Sequence, residues 1–247
     1  MKISIITTTY NDKKNLETII QHVKKQNYPD IEHIIVDGES KDGTLEVIKK
    51  YKEENPEKVF YVSEKDSGIY DAINKGIKMA TGDIIGCCFD EYVDDNVLTK
   101  IANHIEKDGS DGVHADLCYM QNGKVIRYWK QGQGKIQDGW LPAHPTLYLK
   151  KEIYEKYGLY KTDYRISADY EFMVRILKDN QVKLSYINEV LINMAYGGTS
   201  SNGLKAYIES WQEGHRALKE NNVRHPWIVD FKRVIRVLKQ FITAKTK

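Results

Sequence analysis

Lys2-Ile3-Ser4-Ile5-Ile6-Thr7-Thr8 is followed by Leu16, Ile19, Ile20 and Val23, and then by Glu32-His33-Ile34-Ile35-Val36. The two flanking runs are rich in β-branched residues and almost uninterrupted, as strands buried on both faces are. The four apolar residues between them fall at i, i+3, i+4 and i+7, the core stripe of an amphipathic helix. Strand, helix, strand in that order predicts a right-handed crossover and a mainly parallel sheet. Val59–Val62 and Ile84–Cys88 read as further strands, with Thr44–Tyr51 and Gly68–Ala80 as the helices before and between them. The expected class is α/β and Rossmann-like, with ligands gathered at the carboxyl ends of the strands. The GxGxxG and P-loop patterns are both missing, which argues against a dehydrogenase and a P-loop NTPase.

Beyond residue 110 the rhythm changes. Gly112–Leu117 and Val125–Trp129 flank Gln121-Asn122-Gly123-Lys124, and Asn-Gly is a strong hairpin signal. A loop from Gln131 to Gly139, a short strand at Thr146–Leu149 and a helix at Ala168–Leu177 follow. Two short strands are expected near Val182–Ile187 and Val190–Met194, then helices from about Leu204 to Asn221 and about Trp227 to Thr243. With no linker and no repeat, residues 1–205 read as one domain, with a donor half to about 110 and an acceptor half from 111. Residues 206–247 read as a helical extension.

The chain has 247 residues, 41% of them hydrophobic, enough for a sizeable core. No apolar run approaches the roughly 18–20 residues of a membrane span, and no signal-peptide pattern follows Met1. Cys87, Cys88 and Cys118 fit neither a zinc spacing nor a disulfide framework, and a cytoplasmic protein is expected. The net charge of +2 is unevenly spread: Trp227 to Lys247 carries six basic residues and one acid, and the rest is mildly acidic. That balance excludes a nucleic-acid footprint over the body. In the tail, Phe231, Val234, Ile235, Leu238, Phe241 and Ile242 recur at helical spacing, with Lys232, Arg233, Arg236 and Lys239 on other faces. Such a helix suits a membrane surface, or packing against the domain or a second subunit.

The predicted strands end in polar clusters: Thr7 to Asn11, Asp37-Gly38, Ser63 to Asp66, and Asp90-Glu91. Singly these are turn and cap residues; together they point to a polar, phosphate-bearing ligand. Three segments, Ser4 to Asn11, Ile35 to Thr44 and Gly68 to Gly76, resemble the successive motifs of family 2 glycosyltransferases with the GT-A fold. The nearest resemblance is to the bacterial branch that builds colanic-acid-like and capsular polysaccharides. That branch also has a Pro-x-His segment, here Pro142-Ala143-His144, an Asp at a helix start, here Asp169, and a loop like Gly197-Gly198-Thr199-Ser200.

The resemblance implies an inverting transferase that moves a sugar from a nucleotide donor, UDP-linked first and GDP-linked second, to a lipid-linked saccharide. It implies that Asp37 accepts from the N–H of the base, that Thr8 and Tyr10 line the base and ribose, and that Asp66, followed by Gly68, faces the ribose and diphosphate. Asn74 would hold that loop, and His144 would face the acceptor or a phosphate. Asp169 would be the general base, with Glu171 as fallback, and Trp140 and Tyr148 are candidates for stacking on a sugar. Asp90 and Glu91 occupy the position of the family's cation-binding acids, one residue short of the usual run, so Mg²⁺ or Mn²⁺ is expected there. A homo-oligomer is compatible with all of this. Two other readings remain: a nucleotidyltransferase, which would need a basic Gly-rich loop near the N-terminus, and a degenerate binding subunit.

Overall fold

The computed structural model of the chain describes residues 1–195 and 203–243. The first half alternates as expected: β1 (Ile3–Thr9), α1 (Lys13–Lys24), β2 (Ile31–Asp37), α2 (Thr44–Glu54), β3 (Val59–Ser63), α3 (Ile69–Met79) and β4 (Ile84–Cys87). A two-residue strand β5 (Glu91–Tyr92) and α4 (Val97–Asp108) lead into β6 (Gly112–Gln121) and β7 (Lys124–Trp129). Then come β8 (Tyr148–Lys150), α5 (Lys151–Tyr157), α6 (Ala168–Leu177), β9 (Leu184–Ala195), α7 (Gly203–Glu220) and α8 (Pro226–Thr243).

The sheet runs β3-β2-β1-β4-β8-β6-β9-β5, with β7 paired to β6. Strands β1 to β4 are mutually parallel where they pair, and β6 and β9 are parallel to each other; β8 runs antiparallel to both of its neighbours. Side chains alternate across the sheet, as a period of two requires. Ile3 and Ile5 pack with Ile19, Val23 and Ile101 on the α1 and α4 face. Ile6, Ile34 and Val36 pack with Ile73, Ile77, Phe172 and Val174 on the α3 and α6 face. Ala217, Leu218 and Val229 of the C-terminal helices belong to that second cluster. The hairpin turn forms with Asn122 at φ 50° and Gly123 at φ 72°.

One expectation is corrected. The two short strands expected around residues 182–194 are a single strand, β9, and the interruption is a bulge. Ala115 sits opposite Ile187, Asp116 opposite Val190 and Leu117 opposite Ile192. The extra residues are absorbed by the bulge while pairing continues.

At the amino end of the sheet, away from the strand-end clusters, Glu32 is only 1% exposed. It accepts from Ser4 Oγ at 2.6 Å, from the Thr81 N–H and hydroxyl at 2.6 Å each, and from Lys2 Nζ at 2.6 Å. Burial alone would raise its pKa, but Lys2, Ser4 and Thr81 outweigh that and hold it at about 2, against the ordinary 4.5. A carboxyl lowered on folding stabilises the fold above its unfolded pKa and loses that contribution as pH falls through the folded one. The wild type should therefore lose stability between about pH 4.5 and 2 on this account. Glu32→Gln should cost about 3 kcal/mol at pH 7, since breaking a buried ion pair typically costs that much. Urea denaturation at pH 7, 5 and 3 checks this; a difference between the two proteins that does not shrink with acid overturns it.

Candidate functional site

The carboxyl ends of β1, β2 and β3 bring the first cluster together. Gly38, just past β2, is the pivot: a Cβ placed there would stand 2.9 Å from Asp66 Oδ2 and 3.2 Å from the Tyr10 ring. Only glycine lets those two groups approach from either side. Asn11, at φ 49°, accepts from the Lys41 N–H and donates its own N–H to Ser40 Oγ, both at 2.7 Å, which fixes the β1 loop to the β2 loop. Thr8 is half-buried at the end of β1, and its neighbour Thr9 keeps a buried hydroxyl with no hydrogen-bond partner among the described residues.

Asp37 is fully buried, and its carboxylate accepts from Ser63 Oγ at 2.6 Å and from the Ser40 N–H at 3.2 Å. It therefore holds the loops after β2 and β3 at their present spacing. Asp66 Oδ1 accepts from the Gly68 N–H at 3.0 Å. Gly68 has φ +135°, a conformation that other residues rarely adopt, and nothing lies within 4 Å of where its side chain would be. The N-terminal turn of α3 thus opens onto free space.

Asn74 differs from expectation. It does not hold the Asp66 loop; its amide is spent on Tyr160, donating to the carbonyl at 2.8 Å and accepting from the N–H at 3.0 Å. This buried clip ties α3 to the segment before α6. His144 lies across from it, hydrogen-bonded with the Tyr160 hydroxyl at 2.8 Å and stacked on Phe89, ring centroids 6.3 Å apart. Burial lowers the His144 pKa against the opposing pull of Asp169, so the ring is neutral at pH 7. Trp140 and Tyr148 are core residues rather than sugar platforms: Trp140 donates to the Gln131 carbonyl, and Tyr148 shares a hydrogen bond with Tyr92.

Asp169 stands in the first turn of α6, half-buried, and Tyr70 of α3 reaches it from the other half of the chain. The Tyr70 hydroxyl lies 2.9 Å from Asp169 Oδ1 and 2.6 Å from the Ile166 carbonyl. Burial and then the Asp169 carboxylate push the Tyr70 hydroxyl above its ordinary range, so Tyr70 is a donor and not a base. One carboxylate oxygen is thereby oriented, which leaves the other for a substrate. Glu171, the fallback, is excluded from that role: it is fully buried and held by Arg175 at 2.8 Å and Lys161 at 3.1 Å.

Asp90 and Glu91 part company. Glu91 is exposed on β5, opposite Asn193. Asp90 turns inward, accepts from the Ala195 N–H at 3.2 Å, and is pushed up to about 6 by burial and then by Glu91. The hydroxyl of Tyr119 is raised by burial and, against the opposing pull of Arg127, by Asp90 and by Asp169. No group of three His, Cys, Asp or Glu side chains that could hold a metal occurs among the described residues. A lone inward carboxylate still fits a cation that takes most of its ligands from a diphosphate, as Mg²⁺ commonly does. The Gly197 to Ser200 loop lies outside the described residues. Tyr70 and Tyr119 are the site residues that the sequence reading missed; Tyr70 stands inside the quoted Gly68 to Gly76 segment, whereas Tyr119 carries no signal of its own.

The model of the family "Glycosyl transferase family 2" matches residues 4–170. A "PGL/p-HBAD biosynthesis glycosyltransferase" of Mycobacterium bovis (strain BCG / Pasteur 1173P2) is 26% identical over 207 residues, covering 80% of this chain and 78% of the relative. A "Dolichyl N-acetyl-alpha-D-glucosaminyl phosphate 3-beta-D-2,3-diacetamido-2,3-dideoxy-beta-D-glucuronosyltransferase" of Methanococcus voltae is 30% identical over 228 residues, with 80% of this chain and 68% of the relative covered. Among solved structures, S. aureus TarS superposes with a TM-score of 0.70 at 17% identity over 99% of this chain, which spans 43% of that longer chain. The mannosyltransferase PcManGT from Pyrobaculum calidifontis, in complex with GDP-Man and Mn²⁺, gives 0.70 at 18% identity, covering 98% and 73%. At these identities the likeness is one of fold, and the fold is GT-A.

Proposed function

The chain belongs to glycosyl transferase family 2, and from that premise we propose that it moves a sugar from a nucleoside-diphosphate donor to a hydroxyl of a lipid-linked saccharide, with inversion at the anomeric carbon. One observation carries this reading. Tyr70 joins Asp169 two residues after Gly68, so a base from the acceptor half overlooks the open end of the donor half. Residues to about 110 form the donor half, 111–205 the acceptor half, and 206–247 the extension. UDP-sugars are the first expectation for the donor and GDP-sugars the second; PcManGT, a neighbour in fold, was solved with GDP-Man and Mn²⁺. The Methanococcus relative is named for a dolichyl-linked phosphate substrate, which supports an acceptor of that class. The setting would be the cytoplasmic face of a membrane, in surface polysaccharide synthesis.

Asp169 takes the proton of the acceptor hydroxyl as that oxygen bonds to the anomeric carbon. The bond from that carbon to the diphosphate breaks on the opposite side, and the nucleoside diphosphate leaves with the electron pair. Tyr10, Gly38 and Asp66 form the seat of the nucleotide, and Asp37 spaces its loops. Asp90 would hold a divalent cation against the diphosphate, and that cation would supply charge neutralisation to the leaving group.

Titration calorimetry with UDP- and GDP-sugars tests the donor side. Asp37→Ala should weaken donor binding by about 10–100-fold, the range for losing a hydrogen-bonded charged group. An unchanged dissociation constant removes Asp37 from the site. Tight donor binding with no transfer to any lipid-linked acceptor would favour the binding-subunit reading instead.

A further inference from the structure

Resting on that lipid-linked acceptor, we propose that its phosphate and its lipid have a seat of their own, a groove running from beside Tyr70 over Arg165 and Lys205 to a bilayer-facing apolar band on α7 and α8. The groove starts beside Tyr70, the hydrogen-bond partner of Asp169. A cavity of about 160 Å³ is lined by Gly68, Tyr70 and Asp71 on one side and by Thr162 to Arg165 on the other. Arg165 also lines a second, open cleft of about 670 Å³, together with Lys205, Ile208, Glu209 and Gln212. Arg165 is therefore the wall shared by the cavity beside Tyr70 and the α7 cleft.

The wall is firmly placed while its cation is loosely held. The backbone N–H groups of Arg165, Ile166 and Ser167 all donate to Glu213 of α7, at 2.7, 2.9 and 2.8 Å. The Arg165 guanidinium is 77% exposed and, among the described residues, meets a long 3.5 Å contact to Glu209. A phosphate offers that fork an anionic, bidentate partner at close range, a stronger one than a distant carboxylate. Lys205 brings a second cation to the same cleft.

The apolar side begins where the cations end. Ile208 lines the cleft and, with Tyr207, is exposed on α7. One helical turn further on, the Trp211 ring lies 5.5 Å from that of Trp227, which opens the apolar face of α8. Ile228, Phe231, Ile235 and Leu238 continue it, all exposed, Phe231 at 67%. The inward side of α8 is Val229, Asp230 and Arg233. Of the readings open for this helix, packing on the domain does not hold for Phe231, Ile235 and Leu238, which are exposed. The basic side chains are the ones engaged with it: Lys232 pairs with Asp138, Arg236 donates to the Asp138 carbonyl, and Arg233 lies over Tyr170. The side chains of Lys239, Phe241 and Ile242 lie outside what is described. Attraction to a membrane thus rests on apolar burial more than on the charges of α8.

Ile228, Phe231, Ile235 and Leu238 alone would make a narrow helix–helix seam. The band is wider than that, crossing by way of two tryptophans onto a second helix, and it ends at a pair of cations that a second copy would leave unused. Trp at such a boundary suits a lipid interface. Among the described residues no helix is long and apolar enough to cross a membrane, so the band lies on the bilayer rather than in a span.

Flotation of the full chain with phosphatidylcholine vesicles tests the proposal, using vesicles plain, doped with polyprenol, or doped with polyprenyl phosphate. The wild type should bind plain vesicles, and a Trp227→Asp, Phe231→Asp double variant, altered only at exposed positions, should not. Polyprenyl phosphate should tighten binding about tenfold, polyprenol should add nothing, and Arg165→Gln with Lys205→Gln should remove only that increment. No vesicle binding by the wild type, or an increment that survives in the Arg165 and Lys205 variant, overturns the proposal. So does a concentration-dependent dimer in sedimentation that Phe231→Asp breaks. Donor calorimetry on the same proteins stays normal in each case, so failure of the groove is distinct from failure of the transferase site.

Discussion

Asp169→Asn should bind the donor as the wild type does and transfer sugar about 10²–10⁴-fold more slowly, the usual contribution of a positioned general base. The substitution keeps shape and the hydrogen bond from Tyr70, 2.9 Å away, while removing the lone pair that takes the proton. An acceptor hydroxyl that keeps its proton is a weak nucleophile, so the loss falls on kcat and not on the donor's KM. Steady-state kinetics with each substrate varied in turn, alongside donor calorimetry, measures both parts. Near-normal turnover would remove Asp169 from the chemistry, and Glu171 cannot replace it, because it is locked between Arg175 and Lys161.

Chelation with EDTA should lower transfer by about 10²–10³-fold, and Asp90→Ala should reproduce that loss and abolish any further effect of EDTA. A departing diphosphate accumulates negative charge, and several kcal/mol of its stabilisation come from a cation where one is used. Glu91→Ala should change the rate less than about threefold, because Glu91 is exposed on the edge strand while Asp90 turns inward. Comparing the two neighbours separates a specific cation site from a general effect of acidic charge. Full activity in EDTA would leave the leaving group to basic side chains other than Lys75, which is already held by Glu64 and the Lys65 carbonyl.

The first half of the chain is legible because buried parallel strands and amphipathic helices write their periods into it. Helix α4 goes unread although Val97, Leu98, Ile101 and Ile105 share one face, and the seven residues of α5 are too few to establish a period. Strand β9 reads as two because Asn188-Glu189 carries the polarity of a turn, and only its pairing with β6 reveals a bulge. The strand-end carboxylates are legible because ligands collect where parallel strands end. Tyr70 and Tyr119 are not, since a chain with 17 tyrosines gives no reason to choose two of them. Asn74 shows the same limit: helical spacing gives its face, but its partner is 86 residues away. For α8 the amphipathic pattern gives two faces without saying which is inward, and the inner face is held by Asp230 and Arg233.

The Asn74 clip and the Tyr70 bridge together set a rule for recombining this enzyme with its relatives. Each contact has one partner before residue 110 and the other after it. A chimera that takes the residues before 110 from one parent and those after it from another would inherit each pair only if both parents carry it. Side chains at 70 and 74 are then best transplanted with the 158–169 segment as one cassette. Crossover points chosen by sequence position alone would cut through both contacts.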